Sequence, residues 1–137
     1  MQAYWLLKTE PDDYSWEDML KEGSTVWDGV KSPAALKNLS RMQPGDMAII
    51  YHTGRERSMV GLARVAGKPY PDPQEKESRL LVVDLETYDT RPRPVTLSKV
   101  KESGLFPDWA LVRQPRLSVV PVSQKQWEQI LKWAHYQ

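Results

Sequence analysis

The chain has 137 residues, of which 40% are hydrophobic and 27% charged, so it can bury one domain-sized core and is too apolar to be disordered. Its net charge of +1 is too small for a protein that grips long duplex through the backbone, and the absence of cysteine excludes disulfides and thiolate metal sites. Two histidines far apart in sequence, His52 and His135, argue against a zinc site, and no run approaches the ~20 apolar residues of a membrane span.

In chain order, Tyr4 to Leu7 reads as a buried strand that stops at Thr9, Glu10 and Pro11. The segment from Met1 to Pro11 lacks the basic start and small-residue cleavage site of a signal peptide, which predicts a cytoplasmic protein. Asp13 or Ser15 can cap a short helix from Trp16 to Lys21, ended by Gly23. Thr25 to Trp27 is a short extended run, broken by the turn signal Asp28-Gly29. Ser32 followed by Pro33 predicts a capped helix start. Leu36, Leu39 and Met42 then space one apolar face, with Lys37 and Arg41 together on another.

Met47 to Tyr51 and Val60 to Val65 read as two strands joined by a hairpin loop from Thr53 to Arg57. Lys68 to Pro73 is punctuated by proline and reads as loop, whereas Leu80 to Tyr88 alternates as a half-buried strand does. A short helix is predicted near Ser98 to Ser103 and a final strand from Leu117 to Val122. Ser123 then caps a helix through about Tyr136, with Trp127, Ile130, Leu131 and Ala134 as its stripe. The sum is one α+β domain over residues 1–137, a partly closed β-barrel of five or six mostly antiparallel strands with small flanking helices.

Charge is unevenly placed. Residues 1–30 hold two lysines against seven carboxylates, and the remainder holds 17 basic and 11 acidic residues. Arg91, Arg93, Lys99 and Lys101 follow one another without an acid between them, a stretch that reads as a solvated face or a phosphate contact. For catalysis the sequence offers little: it has no G-x-S-x-G elbow, P-loop or G-x-G-x-x-G run. The acid pairs Asp12-Asp13 and Glu17-Asp18 sit where a helix start favours negative charge.

Reading a single nucleobase takes a flat aromatic wall, edge-directed donors and acceptors, and a few cations for flanking phosphates. Trp27 can supply the wall, and Glu10 at the end of the first strand can accept from an exocyclic amine, with Asp28 as a second acceptor. Lys8, Lys31, Lys37, Arg41, Arg55, Arg57, Arg113 and Arg116 form the pool of cations. The residues alone leave three readings open. One is a base-binding module, another a small nucleotide-directed enzyme using His52 with Glu10 or Asp28. The third is an interaction module whose C-terminal helix docks a partner through Trp127, Trp133 and Tyr136. A monomer is expected, with a weak dimer through that helix as the alternative, and neither cofactor nor metal.

The order of motifs narrows the choice. Tyr4 to Pro11 (YWLLKTEP), Val26 to Val30 (VWDGV), Gly45-Asp46, Tyr51-His52-Thr53, Gly61, Tyr70-Pro71-Asp72 and Arg113 to Val119 (RQPRLSV) occur in the sequence of the EVE domain family. The chain closely resembles that family from about residue 3 to residue 131. The resemblance implies a PUA-like fold related to the YTH readers, and a pocket for a modified nucleobase in DNA or RNA, with modified cytosine the implied ligand. Lys8, Thr9 and Glu10 match the family's K-[ST]-E run, which implies that they line the pocket. Trp27 and Asp28 fall where YTH readers keep a cage tryptophan and its neighbour. Tyr51, His52 and Thr53 match the run that closes the pocket, and Arg116 and Ser118 belong to the R-L-S run near its floor. Ser32 lies in the one departure: many members continue with R-N-Y where this chain has Lys31-Ser32-Pro33. Lysine keeps the charge there but loses the bidentate fork of arginine.

Overall fold

The computed structural model describes residues 2–89 and 92–135. Strand β1 (Tyr4–Thr9) leads to helix α1 (Trp16–Glu22), strand β2 (Ser24–Trp27) and helix α2 (Pro33–Leu39). Strands β3 (Met47–His52), β4 (Ser58–Val65), β5 (Tyr70–Pro71), β6 (Leu81–Asp89) and β7 (Val95–Thr96) follow. Helices α3 (Leu97–Ser103) and α4 (Ala110–Arg113), strand β8 (Val119–Val122) and helix α5 (Gln124–His135) complete the order.

The sheet runs β2-β6-β4-β3-β1-β8, with β5 added to β6 and β7 to β4. Only β1 and β3 pair in parallel among the described strands; the crossover between them carries α1, β2 and α2. The expected α+β architecture is present, and the six strands on the main path match the expected number. The path ends at β2 and at β8, so the sheet stays open and the expected partial closure into a barrel is not formed. The two-residue strands β5 and β7 are additions. Tyr70 and Pro71, read from the sequence as loop, pair with Val82 and Leu81, and the Tyr70 hydroxyl donates to Asp84 Oδ1 at 2.6 Å.

Alternation along the strands divides the apolar residues into two cores. Trp5, Leu7, Ala48, Ile50, Ala63 and Val65 belong to one cluster with Trp16 and Met19 of α1 and Leu36 and Leu39 of α2. Leu6, Met47, Ile49, Tyr51, Val120 and Val122 belong to the other, with Val100 of α3, Leu111 of α4 and Trp127 and Ile130 of α5. Helices therefore cover both faces, and β3 is buried at all six positions, as a strand between two layers must be.

Short-range chemistry sets the helix ends. Ser15, not Asp13, caps α1: its hydroxyl accepts from Asp18 N, and the Asp18 carboxylate accepts from Ser15 N. Those bonds hold the Asp18 carboxyl below its usual range. The Ser32 and Thr96 hydroxyls accept from Ala35 N and Lys99 N at the starts of α2 and α3, without a reciprocal carboxylate. Helix α2 stops at Leu39, shorter than the sequence pattern suggested, so Arg41 lies beyond it while Met42 still reaches the core.

Asp46 is buried and takes three donors: Ala3 N at 3.0 Å, the Trp5 indole at 3.0 Å and Gln43 N at 2.9 Å. A buried carboxylate is tolerable only when its oxygens are satisfied this way. Of the aromatic C-terminal helix, Tyr136 lies outside the described residues, as does Arg91 of the basic stretch. Trp133 is half-buried against the second core, with the Lys99 ammonium 5.7 Å from its ring centre.

Candidate functional site

The chain enters the core at Trp27, turns outward at Asp28 and Gly29, and returns at Val30. Gly29 has φ +79°, a left-handed conformation that a side chain would strain. The loop thus presents Asp28 to solvent between two buried anchors.

A second turn faces this loop. Tyr14 N and Asp13 N both donate to Glu10 O at 2.9 Å, and the Thr9 hydroxyl donates to Tyr14 O at 2.8 Å. That folds residues 10–14 back over the end of β1. Ser118 arrives from the approach to β8, where its carbonyl accepts from Lys8 N at 3.0 Å.

These three segments enclose a cavity of about 410 Å³, within the size range of small-ligand pockets. Trp27, Tyr14 and Val30 form its apolar wall, and Lys8, Thr9, Asp13, Asp28 and Ser118 bring charges and hydroxyls. The Trp27 ring is only 6% exposed and meets Tyr14 edge-on, with centroids 6.2 Å apart and planes at 76°. It is core residue and cavity wall at once. The Tyr14 hydroxyl donates to Glu22 Oε1. Burial, then that bond and the Glu22 charge, push the Tyr14 phenol up to about 12. Half-burial holds the Lys8 ammonium below the usual lysine range.

Of the residues expected from the sequence to share one pocket, Lys8, Thr9, Trp27, Asp28 and Ser118 do line this cavity. Glu10 does not. Its carboxylate accepts from Asp12 N at 3.2 Å and the Thr53 hydroxyl at 3.3 Å, and it lines a separate cleft with Thr53, Gly54 and Arg55. Tyr51 is buried in the second core and lines yet another cleft. Ser32 spends its hydroxyl on Ala35 N at 3.2 Å, and with Arg116 borders a shallow apolar groove. The residues that sequence reasoning passed over are Tyr14, Asp13, Thr25, Val26, Gly29 and Val30. The one available signal was the Glu10-Pro11 turn, which returns Tyr14 toward the strand end.

His52 does not line this cavity and sits as a hydrogen-bonded structural histidine at the end of β3. Its Nε2 accepts from Trp16 N at 3.0 Å and its Nδ1 meets Glu56 Oε1 at 3.0 Å, in a side chain that is 8% exposed. Both nitrogens are engaged, and neither Glu10 nor Asp28 is a partner. The arrangement required for His52 as a catalytic base with either carboxylate is not formed.

The expected phosphate contacts Lys31, Lys37, Arg41, Arg55, Arg57 and Arg113 are all exposed. Arg113 is paired with Asp108 at 2.7 Å. Lys31 follows the Trp27 loop directly, and Arg55 and Arg57 sit on the β3–β4 loop.

Residues 3–133 match the family model of the EVE domain. Among solved structures, Rpa0253 from Rhodopseudomonas palustris is similar with a TM-score of 0.90 and 34% identity, over 96% of this chain and 92% of that one. Protein Atu2648 from Agrobacterium tumefaciens gives a TM-score of 0.92 and 31% identity, over 97% and 93%. Human THYN1, crystallised in complex with DNA containing 5-methylcytosine, shares the fold with a TM-score of 0.89 and 24% identity, over 99% of each chain. Comparison with curated proteins gives no match.

Proposed function

The chain belongs to the EVE domain family, and we propose that it is a non-catalytic module that binds nucleic acid carrying a modified base, a cytosine altered at C5. The observation that carries this reading is the cavity walled by Trp27, Tyr14 and Val30 and edged by Lys8, Thr9, Asp28 and Ser118. An unstacked base needs an aromatic surface in place of its neighbours, and acceptors for its exocyclic amine. Asp28 and Asp13 are the carboxylates at hand in this cavity, which moves the base-edge role from Glu10 to the Trp27 loop. Val30 and the half-exposed Val26 offer the apolar contact that a C5 methyl group seeks. The fold shared with THYN1, a protein crystallised with 5-methylcytosine DNA, supports the choice of ligand.

The test is a fluorescence-anisotropy titration with short oligonucleotides, methylated or not at one cytosine, as DNA and as RNA. The reading expects tighter binding of a methylated oligonucleotide than of its unmethylated twin, and weaker binding of it in Asp28→Asn. Equal weak binding to all of them, unchanged in Trp27→Ala, would overturn it.

A further inference from the structure

Beside the Trp27 cavity, and sharing Lys8 with it, lies a second cleft of about 320 Å³. Three cations from three elements reach it: Lys8 from β1, Arg57 from the β3–β4 loop and Lys101 from α3. No carboxylate lines it.

The placement follows from local structure. Arg57 is the single non-glycine with positive φ among the described residues, at +42°, and its carbonyl accepts from Leu97 N at 2.8 Å. That bond ties the loop to the first residue of α3. Lys101 lies four residues after Leu97, hence on the same helix face, and both line the cleft.

None of the three cations forms an ion pair among the described residues. The Lys8 ammonium donates to the Pro115 carbonyl at 3.0 Å and Arg57 Nε to the Gly54 carbonyl at 3.3 Å, both neutral acceptors. Elsewhere on the surface Arg64, Arg79 and Arg113 are each matched with a carboxylate. Tyr51 also lines the cleft, with the Lys8 ammonium 5.7 Å from its ring centre. The Glu10 carboxylate is turned to the Thr53 hydroxyl and lines a different cleft. Uncompensated cations around a concave surface focus positive potential there.

We propose that this cleft seats the backbone phosphodiester next to the nucleotide whose base enters the Trp27 cavity, with Lys8 standing between base and backbone. The proposal rests on the base-binding reading. It assigns backbone contact to Arg57 and Lys101 over the other exposed cations.

The test uses Arg57→Asn, since asparagine tolerates a left-handed backbone, and Lys101→Gln, with Lys101→Arg as the conservative control. The probes are a methylated DNA oligonucleotide, its unmethylated twin, the free nucleoside 5-methyldeoxycytidine and inorganic phosphate. Each neutral variant is expected to weaken both oligonucleotides by the same factor, about fivefold. Each should also flatten the log-affinity against log-salt slope by about 0.9. Nucleoside binding should be unchanged, and Lys101→Arg should behave as the parent chain. Parent-like affinity and slope in both variants overturn the proposal, as does inorganic phosphate binding as tightly as the oligonucleotide. If the parent chain shows no preference for methylation while the variants still lose slope, the base-cavity reading fails and the backbone cleft stands.

Discussion

Trp16 N donates to His52 Nε2 at 3.0 Å, so the first residue of α1 is latched to the last residue of β3. A backbone N–H can only donate, which makes Nε2 the acceptor, places the ring proton on Nδ1 and directs it at Glu56. His52→Ala leaves a buried N–H unsatisfied and is expected to cost about 1–3 kcal/mol in urea denaturation. Methyl discrimination should survive in the fraction that stays folded. Glu56→Gln, at an exposed acceptor, should cost less than about 1 kcal/mol. A His52→Ala chain of parent stability that no longer binds ligand would reverse the assignment.

Gly61 and Trp16 form a second such pair. A Cβ on Gly61 would lie 2.2 Å from the Trp16 indole, which rests on the bare strand backbone. Gly61→Ala is therefore expected to destabilise by about 1–3 kcal/mol through overpacking. Combined with Trp16→Leu, the alanine should cost much less than it does alone, because the clash is removed. Additive losses in the double variant would show that the ring is not what excludes the methyl group.

At the cavity, Asp28 is exposed and Trp27 is buried, so the two substitutions separate binding from stability. Asp28→Asn should leave the denaturation midpoint within about 0.5 kcal/mol of the parent chain and weaken the methylated oligonucleotide about tenfold, the loss of one charge-assisted hydrogen bond. Trp27→Ala should lose about 3–5 kcal/mol of stability as well, because its ring also fills the core. An Asp28→Asn chain that binds as the parent does would remove that carboxylate from the site.

Tyr14 provides a spectroscopic check on the cavity wall. Its phenol, raised by burial and by Glu22 to about 12, keeps its proton in the folded chain where an unfolded tyrosine loses it near 10. Its contribution to stability is thus complete below about pH 10 and lost as pH rises through about 12. The difference in tyrosinate absorbance between the parent chain and Tyr14→Phe should show a midpoint well above the ordinary tyrosine value. A midpoint at the ordinary value would mean that neither the burial of the phenol nor its Glu22 bond is held in solution.

Much of the fold is written in residues a turn apart. Ser32 with Pro33, Gly23 after α1, and the alternation of β6 each act over a few positions, so a helix cap or strand can be read without knowing its neighbours. Strand β5 could not, because Tyr70 becomes a strand only by pairing with Val82, and nothing near Pro69 or Pro71 announces that partner. Helix α4 is likewise four residues whose buried Leu111 has meaning only against the second core.

The same division holds at the site. By itself the sequence determined the family motifs and the residue types of a base-reading surface, Trp27 and Asp28 on a turn and Lys8 and Thr9 at a strand end. Tertiary structure alone decided which of these meet. Residues 8, 9, 13, 14, 25–30 and 118 line one cavity because β1 pairs with β8 while β2 hangs from β6. It also decided that Glu10 turns to Thr53 and that His52 serves α1. The physical reason is one of range: caps and alternation act through neighbours in the chain, whereas a cavity is enclosed by segments that only the sheet order brings together.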